Sequence, residues 1–412
     1  MPVWNTKTQE WVRQGKLVVL GIAQEQHPNR CRLFAQWHQL DWPILHDPIN
    51  VMQVRGVPIE VAIDEHGIVR SLRPNLKTFE EEFLDKSFAP DGVEPPRKPR
   101  KATRPDLAAL RRRAEQSRSS EAWRGLGDAL VLWGGHAKIN DAINAYTQAL
   151  QVKPGDGDAH FRLGVCYRIR YESQQRIPTD FQTAVNHWTK ARAIKPNQYI
   201  WRRRIEQYGP RLTKPYPFYD WVETAARDVR ARGDQPVELK ILPTGSEIAS
   251  PGSSFDAEER NVKPPDPQGR ILRDVKSLIL TEVTIVPPQV KPEGTVRVHV
   301  TLRPNNKRKA HWNNEAEPLK LWVDPPPGWK AQPQLLIAPQ GSQPETSEPR
   351  HFEFEIFAAA NASGTSKLTA YALYYVCEDV GGTCRFLRQD IPITVTVDVR
   401  DPSRLRRAGR DP

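Results

Sequence analysis

Cysteine and methionine are scarce in this sequence: its 412 residues hold four Cys, at positions 31, 166, 377 and 384, and two Met. No two cysteines form a Cys-x-x-Cys, and no Cys or His pair stands at zinc-binding distance from another pair. A zinc ribbon or finger is therefore excluded. His27 and Cys31, four apart at the start of one helix, are too few to make a metal site, so no metal is expected and Cys31 reads as a structural thiol. Long apolar runs are also missing. Nothing approaches the roughly 18 residues of a membrane span, and Leu17 to Ala23 is a run of strand length. No basic, apolar and small-residue pattern of a signal peptide follows Met1, so the chain taken literally is cytoplasmic. A phosphate-binding Gly loop, a hydrolase triad and a paired-carboxylate site are absent as well, and no cofactor is expected.

What is present is charge and proline. Lys and Arg total 60 against 49 Asp and Glu, a formal net charge of +11, and the 38 prolines imply extended connections between folded modules. The length suits about two to four domains. The basic residues fall in scattered runs (Arg97 to Lys101, Arg111 to Arg113, Arg202 to Arg204, Lys307 to Lys309, Arg404 to Arg410), which read as solvated linker, helix or tail surface. No binding motif or aromatic-lined basic face accompanies them, so no nucleic-acid partner is expected.

Lys16 to Ala23 reads as a strand buried on both faces. Pro28-Asn29 opens a helix whose Cys31, Phe34, Ala35 and His38 form one apolar face. Trp42 to His46 reads as a short strand, and Val57 to Ile63 with Ile68 to Leu72 as a hairpin around Asp64-Glu-His-Gly67. Thr78 to Phe88 closes the segment as an amphipathic helix with Phe79, Phe83 and Leu84 inward.

That order, with Gly56-Val57-Pro58 leading into Ala62-Ile63-Asp64-Glu65-His66-Gly67, resembles the C-terminal portion of the thioredoxin fold in the TlpA and ResA type of membrane-anchored or periplasmic thiol-disulfide oxidoreductases. The resemblance implies a cis bond before Pro58 and makes Val57 and Pro58 the positions that contact an extended substrate chain. The alternative is an ordinary trans proline at an edge strand. Met1-Pro2-Val-Trp4 matches the continuation of the family's active-site helix, which implies that the first strand and both catalytic cysteines precede residue 1. The expectation is a truncated reading of a longer protein; the alternative is a variant that has lost its redox centre. As written, this segment has no catalytic residue, and Cys31 on an apolar helix face is no substitute.

Beyond the Pro-rich basic spacer that contains Glu94 to Lys101, an internal repeat emerges. Ala142, Tyr146, Ala149 and Pro154 recur as Ala184, Trp188, Ala191 and Pro196 with identical spacings, preceded by Trp123, Leu126 and Gly127 and by Leu163, Gly164 and Tyr167. These positions resemble the large and small packing residues of tetratricopeptide repeats. The turns after Trp133 and after Arg168 carry extra residues, and Trp201 with Tyr208 suggests a capping helix. The resemblance implies a protein- or peptide-binding groove. Two repeats alone are marginal, so docking onto a flanking domain is the equal alternative.

From Val237 the period becomes two. Ser277 to Val286, Thr295 to Leu302, Leu319 to Val323, His351 to Phe357, Lys367 to Val376 and Ile391 to Val397 read as six or seven strands of an immunoglobulin-like sandwich. Cys377 and Cys384 flank Gly381-Gly382. The arrangement resembles the N-terminal immunoglobulin-like domain of DsbD-type thiol-disulfide interchange proteins, where two cysteines bracket a similar turn. Three states stay open for the pair: a redox couple, a structural hairpin disulfide, or two reduced thiols.

The expected organisation is multidomain: a partial α/β thioredoxin-like fold (1–89), a linker (90–118), all-α helical repeats (119–234), an all-β immunoglobulin-like sandwich (235–400) and a basic tail (401–412). The expected function is thiol-disulfide chemistry outside the cytoplasm with a protein redox partner. The alternative is a non-catalytic scaffold that binds protein through the repeats and the sandwich.

Overall fold

A proline in the first turn opens the first two helices, where its missing N–H leaves no bond unmade: α1 (Pro2–Arg13) and α2 (Pro28–Trp37). The computed structural model describes residues 2–89, 103–211, 219–243, 247, 262–379 and 382–398. The run Arg97 to Lys101 and the tail 401–412 lie outside them. The chain forms two units, the first made of Met1–Arg176, Lys190–Arg204 and Phe218–Pro243, the second of Ile177–Thr189, Ile205–Pro217 and Thr244–Pro412.

In the first unit, β1 (Gly21–Ala23) pairs in parallel with β2 (Ile44–His46), and β3 (Val61–Ile63) pairs antiparallel with β4 (Val69–Leu72). Both strands of the first pair are shorter than the apolar pattern suggests, and Val18, Leu20, Ile22 and Leu45 are exposed rather than buried. Each sheet has two strands, so most of the run beyond Gly21–Ala23 has no ladder to join among the described residues. α2 turns Arg30 and Leu33 inward, with Cys31 and Phe34 only half-buried, because Leu33 packs on Val222 and Ala225 of a later helix. The expected helix from Thr78 shrinks to one π-turn, Glu80–Leu84, closed by Asp85 N–H donating to Glu80 O at 2.9 Å. Phe79, just ahead of it, is anchored by Trp4, Trp11 and Phe83.

The helices that follow are α3 (Leu107–Ser117), α4 (Ser120–Gly134), α5 (Ile139–Val152), α6 (Gly157–Tyr171), α7 (Asp180–Ile194), α8 (Tyr199–Glu206) and α9 (Trp221–Ala231). Asp106, Ser119 and Asp156 cap the N-termini of α3, α4 and α6 with side-chain oxygens. α4, α5 and α6 share a core of Leu126, Leu130, Ile139, Ile143, Tyr146 and Leu163, with Trp123 and Tyr167 packed on its rim. The extra residues after Trp133 form a 3₁₀ turn, Gly135–Lys138. Those after Arg168 first extend α6 and then leave it.

The second unit holds a four-stranded sheet ordered β10-β13-β7-β5: β10 (Lys330–Gln332), β13 (Arg350–Phe357), β7 (Thr295–Pro304), β5 (Ile279–Val286). A larger sheet runs β11-β9-β14-β15-β6: β11 (Leu335–Ile337), β9 (Lys320–Asp324), β14 (Gly364–Glu378), β15 (Cys384–Val397), β6 (Gln289–Val290). β8 (Ala310–Asn313) pairs with both β14 and β12 (Glu345–Thr346). Alternate residues of both sheets, among them Val298, Val300, Phe354, Leu321, Ala372 and Ile393, enclose one apolar core. β7 is buried on its second face too, since Phe181 and Tyr208 lie against His299 and Gln182 bonds the Ile285 backbone.

Candidate functional site

The longest hairpin among the described residues brings the close cysteine pair together. β14 and β15 run antiparallel from Gly364↔Val397 to Cys377↔Cys384, so the two cysteines occupy the last register position before the turn. They are disulfide-bonded, with Cα atoms 4.0 Å apart. Gly381 lies outside the described residues; Gly382 is a turn residue where a Cβ would collide with the Glu378 carbonyl, so only glycine fits. Cys377 is buried, at 2% exposure, while Cys384 is exposed. One end of the bond thus meets solvent and the other does not.

The surroundings of the bond are polar and aromatic. Across β14 from Cys384, His311 of β8 stands directly opposite Cys377. His311 Nε2 is 3.4 Å from Glu345 Oε1. Lys276 Nζ pairs with Glu378 at 2.9 Å and holds that carboxyl below its ordinary value, and Lys309 Nζ pairs with Asp379 at 3.0 Å. Two residues along the same face, Tyr375 and Phe386 stack with ring centroids 4.5 Å apart, Phe386 being 37% exposed. Sequence reasoning missed His311, because a strand of four residues in a turn-rich stretch has too little alternation to be recognised. The other two cysteines are inert: burial, followed by the Glu25 charge, pushes the Cys31 thiol up to about 12, and burial drives Cys166 higher still.

Val57 and Pro58 lie in the first unit on an exposed loop, and the bond between them is cis. Trp4, in the first turn of α1, donates from Nε1 to Glu60 Oε1 at 3.1 Å, which sets the start of α1 beside this loop. Among the repeat positions, Ala142, Tyr146, Ala149, Ala184, Trp188 and Ala191 are fully buried, and Gly127 and Gly164 are buried as well. Trp123 and Tyr167 are partly covered. A Cβ at Gly127 would lie 2.6 Å from the Tyr146 ring, so the small residue permits the contact of α4 with α5.

The face of the helices in the first unit is joined to the N-terminal segment by a buried ionic network. Arg204 is 3% exposed and donates to Gln26 Oε1 at 3.3 Å, Gln24 O at 3.0 Å and Pro48 O at 3.4 Å. Arg162 donates to Ile49 O at 3.3 Å and pairs with Asp128 at 2.7 Å. His27 Nδ1 faces Glu172 at 3.4 Å, and Glu172 also accepts from Arg168 at 2.9 Å. Burial would raise the carboxyls of Glu25 and Glu172, yet both lie below their ordinary value, because Arg30, His27 and Arg204 surround the first and Arg168 and His27 the second. This corrects the reading of Arg202 to Arg204 as solvated surface: Arg202 is exposed and Arg203 half-buried, but Arg204 lies inside. Arg111 to Arg113 and Lys307 to Lys309 are exposed.

Among the described residues no cluster of three or more His, Cys, Asp or Glu is placed to hold a metal ion, and no helix is long and apolar enough to cross a membrane. No family model matches the chain, and no curated protein matches it. Solved structures similar to part of it include the following three. A structure described as AvmM, which catalyses macrocyclization in alchivemycin A biosynthesis, is 14% identical over 31% of this chain and 93% of its own, with a TM-score of 0.18. AggA, the major subunit of aggregative adherence fimbriae type I from Escherichia coli, is 16% identical over 29% of this chain and 95% of its own, with a TM-score of 0.18. The sporulation control protein Spo0M of Bacillus subtilis is 11% identical over 29% of this chain and 50% of its own, with a TM-score of 0.16. At these scores the likeness identifies neither a fold family nor a function.

Proposed function

We propose that this chain is a multidomain thiol-disulfide redox protein whose exchangeable centre is the Cys377–Cys384 bond. It would combine a thioredoxin-like segment of the TlpA and ResA type, tetratricopeptide-like helices and an immunoglobulin-like, DsbD-type sandwich, working outside the cytoplasm on a protein partner. The observation that carries the reading is the asymmetric exposure of the bond, with Cys384 open to an incoming thiolate and Cys377 buried behind it. The start of α1 beside the Val57–Pro58 loop supports the thioredoxin-like part, since in that family the active-site helix lies beside the cis-proline loop.

Redox equilibration of the folded chain, with alkylation and mass spectrometry, tests this. The bond is expected to open and close in exchange with thioredoxin, at a potential less negative than about −300 mV, while circular dichroism stays native. A bond that stays oxidised well below that value is a structural staple, and the redox reading fails.

The ionic network favours one part of the scaffold reading. Arg162 on α6 and Arg204 on α8 bind backbone carbonyls of residues 24–49, so this helical surface already carries a partner from its own chain. We infer that the repeats hold the N-terminal segment in position. In that role they need no peptide ligand at this surface.

A further inference from the structure

Three neighbouring strands carry one cross-strand row: His311 on β8, Cys377 on β14 and Cys384 on β15. Residues directly opposite in antiparallel pairs share a face, with Cβ atoms about 4.5–5.5 Å apart. The imidazole therefore flanks Cys377 on the side away from Cys384. A partner thiolate can reach the exposed Cys384, and the sulfur that must leave is the buried Cys377. A thiolate released into a buried site is disfavoured unless a proton or a positive charge stands beside it.

We propose that His311 is the proton-transfer partner of Cys377, making Cys384 the attacked sulfur and Cys377 the leaving one. The inference rests on the redox reading above. In the step, the thiolate of a partner dithiol forms a bond to Cys384 Sγ, the Cys377–Cys384 bond breaks, and its electron pair goes to Cys377 Sγ, which takes the proton of the His311 imidazolium. The partner's second thiolate then attacks its own bonded sulfur and releases Cys384 as a thiolate, which is protonated by solvent. Two electrons pass from the partner, which ends as a disulfide, to the cysteine pair. His311 regains its proton from water.

The charges around the imidazole suit this role. Glu345 of β12 faces it at 3.4 Å. Cys377 faces it from β14. Of the further charges on these strands and their turn, Glu378 pairs with Lys276 and Asp379 with Lys309, and Arg385 beside Cys384 is exposed. Ala310 and Trp312, the sequence neighbours of His311, point into the apolar core, so the cross-strand side is the one left to the ring.

The test uses the full oxidised chain and dithiothreitol, with the reduction rate of the Cys377–Cys384 bond measured by quenched alkylation between pH 5.5 and 8.5. Expressed per dithiothreitol thiolate, the wild-type rate is expected to rise as the pH falls through the histidine range. In H311Q it should be flat and about a hundredfold lower at pH 6, the lower end of general-acid effects. E345Q, altered at a largely exposed side chain facing the ring, should lower the rate at pH 6 by less than H311Q does, and it serves if H311Q misfolds. Equal rates and pH profiles for wild type and both variants overturn the assignment of His311 and leave the redox reading intact. Failure of the folded wild type to be reduced at all overturns the redox reading, and the role of His311 with it.

Discussion

Arg204→Met is expected to destabilise the first unit by about 3 kcal/mol, which for a body of its size lowers the midpoint of thermal unfolding by roughly 6–12 °C. Methionine restores most of the volume, so the loss comes from charge and hydrogen bonds. The guanidinium serves two backbone carbonyls and Gln26, and it helps to keep the buried Glu25 ionised. Without it those carbonyls lose their donor and the carboxylate loses one of its cations, the circumstances in which breaking a buried ionic group is costly. The pH dependence has a definite sign. Folded Glu25 lies below the ordinary glutamate value of 4.5, with Arg204 among the cations that hold it there, so this contribution is complete above that pH and is lost as the pH falls through the folded value. The gap between wild type and variant should therefore be widest at neutral pH and narrow below about pH 4. Thermal unfolding followed by circular dichroism at pH 7 and pH 3.5 measures it. A gap below about 1 kcal/mol at pH 7 would place Arg204 among ordinary surface arginines.

The second large effect is at Gly127. Alanine is the better helix former by about 1 kcal/mol, so Gly127→Ala would stabilise α4 if space were open. Space is closed. The new methyl would lie 2.6–2.8 Å from three atoms of the Tyr146 ring, and Tyr146 is fully buried with its hydroxyl donating to Asp128 at 2.7 Å. Asp128 is in turn paired with Arg162, so the ring has no free direction in which to retreat. Overpacking of this kind costs about 1–3 kcal/mol or somewhat more, which outweighs the propensity gain and leaves a net loss of about 2 kcal/mol. In a Tyr146→Leu background the same substitution should cost at least about 1 kcal/mol less, a coupling that a double-mutant cycle in urea reads directly. A stabilised Gly127→Ala protein would show that α4 and α5 do not approach as closely as described.

These two sites differ in how far they could be read from the chain. Gly127 and Tyr146 announce themselves through periodicity, because a repeat writes its small and large packing positions at fixed spacing. Arg204 carries no such mark. Its neighbours Arg202 and Arg203 are the same residue type, and an arginine run on a helix reads as solvated until a second segment is laid over one member of it. The partners that bury Arg204 are Gln24, Gln26 and Pro48, more than a hundred and fifty residues away in sequence.

The same contrast runs through the strands. Alternation marks β13 and β15, where burial follows a period of two. It misjudges β7, where Arg297, His299 and Thr301 are buried although their alternate positions suggest a wet face. Phe181 and Tyr208, from distant stretches of chain, cover that face. The apolar run from Leu17 errs the other way. It yields only the short β1, because hydrophobicity states a preference for burial and supplies no neighbour to bury against.

The cysteines show the division most clearly. Their scarcity and spacing alone determined that Cys377 and Cys384 form the single close pair, with a glycine turn between them that lets the flanking strands meet. Which cysteine is exposed, and that a histidine sixty-six residues upstream stands opposite the other, was decided only by the tertiary structure. Turn geometry is local and is written in adjacent residues, whereas the pairing of β8 with β14 is a long-range choice made by the whole sheet.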